Sequence, residues 1–99
     1  MRPLHHSDIA EAVRVLLPLS KQERHAAIAR FIAFAEAADR FRKRTGCLHR
    51  VWGDGTLAAA VARSPRARAR GWDDPDYASC WALVLDAVIR HRTGVGLGL

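Results

Sequence analysis

The chain has 99 residues, of which 49% are hydrophobic and 26% are charged, and it carries a formal net charge of +6. This length accommodates one ordinary domain, and this apolar fraction excludes a wholly disordered chain. No apolar stretch approaches the roughly 20 residues that a membrane-spanning helix needs, so we expect no membrane partner. The first eight residues lack the apolar stretch of a secretory signal, which favours a cytoplasmic protein.

The positive charge is concentrated in the middle of the chain. Residues 1–39 carry five basic and five acidic side chains, residues 40–72 carry nine basic and one acidic, and residues 73–99 carry two basic and four acidic. The codon usage of a GC-rich genome enriches arginine but should spread it evenly. The clustering in segment 40–72 therefore needs a local reason.

The first predicted helix runs from Asp8 to Leu17 and ends at Pro18, which cannot donate into the helical ladder. Ser7 is its expected N-cap. The second predicted helix covers residues 21–45. Ser20-Lys21-Gln22-Glu23 has the pattern of a capping box, and Gly46 suits the left-handed position that ends a helix. Its apolar stripe contains Ala27, Phe31, Phe34, Ala38 and Phe41.

Residues 47–56 have the composition of a loop. A short helix is predicted over 57–63, with Thr56 or Asp54 as its cap, and residues 65–71 are expected to be extended and solvated. The last helix is predicted over 75–92, with Asp74 as cap and Pro75 at the first helical position. Residues 94–99 are expected to form a flexible tail.

These elements predict an all-α fold of four helices in one domain over residues 1–93. We expect the second and fourth helices to form a long antiparallel pair, with the first packed across them. Five large apolar residues on the predicted inner faces are expected in the core: Phe31, Phe34, Trp81, Leu85 and Val88.

The basic segment 40–72 is the main candidate site. In an extended chain, side chains two residues apart share a face, so its alternating arginines could address one phosphate track. Trp52 and Trp72 flank the segment and could stack on bases. The alternative is a solvated loop beside a helix end whose cations complement the dipole. The candidate anion- or nucleic-acid-binding residues are Arg40, Arg42, Lys43, Arg44, Arg50, Arg66, Arg68 and Arg70.

The string Trp52-Gly53-Asp54-Gly55-Thr56 allows two interpretations. In the first, Trp52 anchors the loop on the core and Asp54 bonds backbone N–H groups. In the second, Trp52 and Asp54 form a binding loop. The pattern favours the anchor.

Metal and catalytic sites are not predicted. Asp73, Asp74 and Asp76 are explained by helix capping, and no C-x₂₋₄-C pair indicates zinc. Cys47 and Cys80 stand far apart and are expected to be free thiols. No cofactor and no catalytic residue is expected.

Several strings of the chain resemble those of short uncharacterised helical proteins from GC-rich alphaproteobacteria. They are His6-Ser7-Asp8, Ala35-Glu36-Ala37-Ala38-Asp39-Arg40, Trp52-Gly53-Asp54-Gly55 and Asp73-Asp74-Pro75-Asp76-Tyr77. The resemblance extends over most of the chain and implies no activity, ligand or catalytic residue.

Three functional hypotheses follow. Apolar helices without catalytic motifs favour a non-enzymatic interaction or regulatory protein, whose partner is another protein or a second copy of the chain. The alternative is a nucleic-acid-binding accessory protein that uses segment 40–72. An enzyme is disfavoured because no nucleophile, base and oxyanion donors can be assembled from the pattern.

Overall fold

The structure, a computed structural model, describes residues 1–94. Four α-helices follow one another in this range: α1 (His6–Leu16), α2 (Lys21–Thr45), α3 (Leu57–Val61) and α4 (Pro75–Thr93). The predicted all-α class with four helices is confirmed. Of the expected tail, Gly94 closes α4 with a left-handed φ of 70°, and residues 95–99 lie outside the described residues.

α1 is the central helix of the core. It packs against each of the other three helices. Its buried residues form one broad face: Asp8, Ile9, Ala12, Val13, Val15 and Leu16. A helix with one apolar face packs that face against the core. α1 contacts both α2 and α4, as the predicted packing across them requires, and it also contacts α3.

The helices begin and end close to the predicted residues, but the hydrogen bonds that cap them differ in part from those predicted. α1 begins at His6, so the N-cap is His5 and the prediction of Ser7 as cap was wrong. The carboxylate of Asp8 accepts the His5 N–H at 2.9 Å. Ser20 precedes α2, but its hydroxyl makes no cap bond, and the Glu23 N–H donates to the Ser20 carbonyl instead. Asp74 caps α4 as predicted, accepting the Asp76 and Tyr77 N–H groups.

The core face of α2 is rotated from the predicted aromatic stripe. Small and β-branched residues are buried, and the phenylalanines lie at the margin of that face: Phe31 is half-buried against the core and Phe34 is half-buried beside Trp52. Alanines let the neighbouring backbones approach closely, so the bulky rings are displaced to the edge. The buried apolar residues of α2 are Ala27, Ile28, Ile32, Ala35 and Ala38.

α4 is buried along a narrow face formed by Tyr77, Cys80 and Val84. Trp81 and Val88, predicted as core residues, are half-buried and pack against the core from its margin. Leu85 was expected in the core, but 44% of its surface is exposed. The error arose because the apolar residues of α4 cover more of the helix than its neighbours cover.

α2 and α4 run in the same direction, so the expected antiparallel arrangement was wrong. Near the start of both helices, Arg24 lies 2.7 Å from Asp76. Further along both helices, Glu36 approaches His91, with 3.7 Å between oxygen and nitrogen. The contacts therefore occur in the same order. Short loops make neighbouring helices antiparallel, but here α3 and the extended residues 65–71 return the chain to the start of α2 before α4 begins.

A single buried guanidinium joins three of the helices. Arg24, of which 6% is exposed, donates from Nε to the carbonyls of Leu16 and Leu19, both at 3.1 Å. Its Nη2 donates to the carbonyl of Leu17 at 2.9 Å. These carbonyls lie at the end of α1 and in the turn that follows, where helical backbone acceptors lack intrahelical donors. The Nη1 of Arg24 donates to Asp76 in the first turn of α4.

The extended residues 65–71 contact α1 through Arg66 and Ala67, whereas Pro65 and residues 68–71 are exposed, so the expectation of a solvated segment holds for most of it. The Ala67 N–H donates to the Arg14 carbonyl at 2.9 Å. In return, Arg14 Nε donates to the Ala67 carbonyl at 2.7 Å. Ala67 also packs against the core. The segment is therefore held by its backbone.

We expect Arg24→Met to lower the free energy of unfolding by about 3 kcal/mol. Methionine retains much of the side-chain volume but leaves the carbonyls of Leu17 and Leu19 without the donor that Arg24 supplies, whereas the Leu16 carbonyl keeps the Leu19 N–H. Arg30→Met is the matched control, because Arg30 is exposed, and should change stability by less than about 0.5 kcal/mol. Denaturant unfolding followed by far-UV circular dichroism measures both variants. Equal stability of the two would show that the fold does not depend on Arg24.

Candidate functional site

The eight predicted basic residues lie in three places: beside the buried Asp39, in the extended segment 65–71, and around the end of α2 with the loop that follows it. Arg42 and Lys43 pair with the buried carboxylate of Asp39, with N–O distances of 3.0 and 3.2 Å. Arg42 and Lys43 are thus partly neutralised, because a carboxylate that is 3% exposed faces them. They are the predicted cations least available to an external anion at this end of α2.

The alternating arginines of the extended segment do not share one set of neighbours. Arg66 pairs with Glu11 of α1 and also donates to the carbonyls of Val61 and Ala62, which close α3. Arg70 pairs with Asp74, the cap of α4, at 3.1 Å. Arg68 is exposed and makes no ion pair within residues 1–94. Two of the three guanidiniums of the predicted phosphate track are therefore used to join elements of the fold.

The remaining predicted cations lie near the end of α2 and the loop that follows. Arg40 and Arg44 are exposed, and neither pairs with a carboxylate in the described part of the chain. They line a cleft of about 280 Å³, which we call the aromatic cleft. Its lining residues are Ala37, Arg40, Phe41, Arg44, His49 and Trp52. Arg50 lies on the same loop, and its carbonyl accepts a hydrogen bond from Arg63.

The loop wall of the aromatic cleft is closed by its own hydrogen bonds. His49 and Gly53 exchange two backbone bonds of 2.8 and 3.0 Å. Gly53 adopts a φ of +80°, and a Cβ there would lie 2.6 Å from that of Ala59. Only glycine fits this turn without moving α3, which fixes residues 49–53 between α2 and α3.

Trp52 is an anchor, as the favoured interpretation of its loop predicts. Its ring stacks on Phe34 at 4.6 Å and on His49 at 4.5 Å, each with planes 7° apart. Phe34 and His49 make no ring contact with each other, so they cover opposite faces of the indole. The faces of Trp52 are therefore occupied and do not offer a platform for a base. Trp72 does not join this stack and packs instead against Trp81 of α4.

Asp54 also has the anchoring role. Its Oδ1 accepts the N–H and the hydroxyl of Thr56, at 3.0 and 2.7 Å. These bonds, outweighing partial burial, hold the pKa of Asp54 below its usual value. The Thr56 hydroxyl then caps α3 by accepting the Ala59 N–H. The structure uses Asp54 to start α3, and it also places Arg2 within 3.4 Å of the same carboxylate.

Asp39 is the centre of a buried charge cluster. Besides Arg42 and Lys43, it lies 3.3 Å from the α-amino group of Met1, which also contacts Glu36. Burial alone would raise the pKa of Asp39, but the surrounding cations outweigh it and lower the pKa to about 2. Gly55 closes over this residue, since a Cβ there would lie 2.7 Å from the Asp39 Cβ.

A second candidate surface was missed by sequence reasoning. Leu85 is 44% exposed, Ile89 is 58% exposed, and Trp72, packed on the edge of Trp81, is 65% exposed. We call Trp72, Trp81, Leu85 and Ile89 the α4 face. The sequence signal for this surface is the spacing of Trp81, Leu85 and Ile89 at intervals of four residues. These residues adjoin the buried apolar residues of α4 without a polar gap, so the pattern alone predicts one wide core face.

The thiols and the acidic residues add no site. Cys47 is exposed and Cys80 is buried, and both are free thiols; burial raises the pKa of the Cys80 thiol. Across residues 1–94, no group of three or more His, Cys, Asp or Glu side chains is placed to hold a metal ion. In the same range, no helix has both the length and the apolar character to span a bilayer.

Comparison with known families assigns the chain without assigning an activity. Residues 2–88 match the model of a family described as a domain of unknown function, DUF7742. The chain belongs to this family. No curated protein and no solved structure matches it. The resemblance to uncharacterised proteins is confirmed at this level.

We expect Arg66→Ala to lower the free energy of unfolding by about 1–2 kcal/mol, because it removes the pairing with Glu11 and the donors to the end of α3. Arg68→Ala is the control in the same segment and should leave stability within about 0.5 kcal/mol of the parent protein. Thermal or denaturant unfolding of the two variants measures the difference. If Arg66 were a free binding residue, both variants would be equally stable.

The charge cluster predicts a loss of stability in acid. The pKa of Asp39 is lowered from 3.8 to about 2. Its stabilising effect is therefore fully present above pH 4 and is lost as pH falls through the folded-state value. The Asp39→Asn variant should be less stable at neutral pH and should show a flatter pH dependence between about 4 and 2. Unfolding curves with parallel pH dependence in both proteins would contradict this assignment.

Proposed function

We propose that this chain is a non-enzymatic helical interaction protein that pairs with a second copy of itself through the α4 face. The observation that carries the proposal is the exposure of Leu85 and Ile89, two large apolar residues one turn apart on α4. Contiguous apolar residues on a surface mark interaction sites. Trp72 extends the same surface with a large aromatic ring, a residue type enriched in protein interfaces.

The charges on α4 favour a second copy as the occupant. Asp86 and Arg90 pair at 2.8 Å, and about half of each side chain is exposed. In an antiparallel pairing about a two-fold axis between Leu85 and Ile89, each Leu85 lies opposite Ile89 of the other copy. The same axis brings Asp86 towards Arg90 of the other copy. The charges of this surface are thus self-complementary, as in an isologous interface, where the same patch serves both copies.

Nucleic acid is the less favoured partner. Four of the eight candidate basic residues face carboxylates: Arg42, Lys43, Arg66 and Arg70. Salt-dependent binding to phosphates needs several uncompensated cations on one surface.

We also propose a cytoplasmic location, and we expect the relatives of this chain in GC-rich alphaproteobacteria.

We expect the protein to be a dimer at micromolar concentrations in size-exclusion chromatography with light scattering. Leu85→Glu and Ile89→Glu should give monomers, because each places a charge in the apolar centre of the pairing. Leu48→Glu is the matched control, since Leu48 is 64% exposed but lies outside the α4 face, and it should remain a dimer. A monomeric parent protein, or an equal effect of all three variants, would overturn the proposal.

A charge exchange tests the antiparallel geometry. Asp86→Arg gives a face with two arginines and Arg90→Asp gives a face with two aspartates, so each variant alone should be monomeric. Mixed in equal amounts, the two should form a heterodimer, because every cross-copy pair then joins opposite charges. Recovery of a dimer only in the mixture supports the proposal. No recovery in the mixture contradicts the proposed axis.

A further inference from the structure

We propose that the aromatic cleft binds a phosphate group carried by a small aromatic molecule, with Arg40 and Arg44 as the phosphate-binding residues. This site is separate from the α4 face and does not depend on self-association. The inference rests on the arrangement of charge around the end of α2, on the fixed loop wall opposite, and on the donors that the two walls present.

Helical geometry sorts the charges of α2 onto two faces. Ala37, Arg40, Phe41 and Arg44 are spaced by three and four residues and therefore share one face, which lines the cleft. Asp39 lies on the adjoining face, where it is buried and pairs with Arg42 and Lys43. The carboxylate nearest in sequence is thus turned away, so the guanidiniums of Arg40 and Arg44 keep their charge for a ligand.

The end of a helix disfavours an anion, because its last carbonyls point outward. In α2 the guanidiniums of Arg40 and Arg44 oppose this effect. The Thr45 hydroxyl donates to the Phe41 carbonyl at 2.7 Å, and the Gly46 N–H donates to the Arg42 carbonyl at 2.8 Å, which closes the last turn of the helix. The two arginines supply the positive charge at the lining of the cleft.

The cleft presents hydrogen-bond donors from two directions. Arg40 and Arg44 lie one helical turn apart on α2, and the guanidinium of Arg44 lies 5.9 Å from the centre of the Phe41 ring. On the opposite wall, His49 Nδ1 accepts the N–H groups of Val51 and Trp52, both at 3.1 Å. The proton of the neutral imidazole is therefore on Nε2, which adds a donor to the wall.

This donor set selects the chemical class of ligand. Two guanidinium forks and an imidazole N–H match the several acceptor oxygens of a phosphate monoester better than the two oxygens of a carboxylate. The volume of about 280 Å³ lies just below the range of pockets that hold drug-sized ligands. It admits a phosphate with one ring, for which Phe41 and the edge of Trp52 supply apolar contact.

Isothermal titration calorimetry of the full chain tests this proposal with three probes: phenyl phosphate, inorganic phosphate and phenol. We expect saturable binding of phenyl phosphate, weaker binding of inorganic phosphate and none of phenol. Arg40→Gln and Arg44→Gln should each weaken the binding of phenyl phosphate by about tenfold or more. Arg68→Gln, which changes an exposed arginine outside the cleft, should bind like the parent protein.

Light scattering on the same samples keeps this test separate from the proposed function, since the Arg40 and Arg44 variants should retain the oligomeric state of the parent. Absence of binding by both phosphates would overturn the proposal. Equal weakening by Arg68→Gln would also overturn it, because it would indicate a general attraction to the positive chain. Tighter binding of phenol than of phenyl phosphate would show an apolar site.

Discussion

The fold depends on the burial of one arginine where three helices meet. Arg24 lies on the inner face of α2, and its guanidinium supplies donors to carbonyls at the end of α1 and to the first turn of α4. A buried charge is costly unless its partners are complete, and here a carboxylate and three carbonyls complete them. The arginine therefore fixes the relative positions of α1, α2 and α4, and these helices together position both candidate surfaces.

Other arginines repeat this use of charge on a smaller scale. Arg66 ties the extended segment to α1 and to the end of α3, and Arg14 exchanges bonds with Ala67. Positive charge that is concentrated in the sequence is consequently dispersed in the fold. Of the eight candidate residues, those without a carboxylate partner within residues 1–94 are Arg40, Arg44, Arg50 and Arg68, and the first two lie together at the aromatic cleft. A net charge of +6 thus says little about where an anion binds.

The parts of the fold that local chemistry determines were predictable. The bounds of α2, the left-handed Gly46 and the Asp74 cap follow from residue types within one or two turns. Relations between distant segments were not predictable. The parallel course of α2 and α4 depends on the path of a long connection, and the exposure of Leu85 depends on which neighbours cover α4.

The burial of Arg24 was indicated by the sequence, because Arg24 precedes Ala27 and Ile28 by three and four residues and so lies on the apolar stripe of α2. The candidate site was predicted only in part: Arg40 and Arg44 were among its residues, but their separation from Arg66 and Arg70 is a tertiary feature.

Residue-resolved hydrogen exchange under native conditions tests the central role of Arg24 most directly. If its guanidinium couples three helices, amides at the end of α1 and in the first turns of α2 and α4 should open together, with one shared free energy. Replacing Arg24 should then reduce protection in all three places by the same factor. Loss of protection confined to the first turn of α2 would contradict the account.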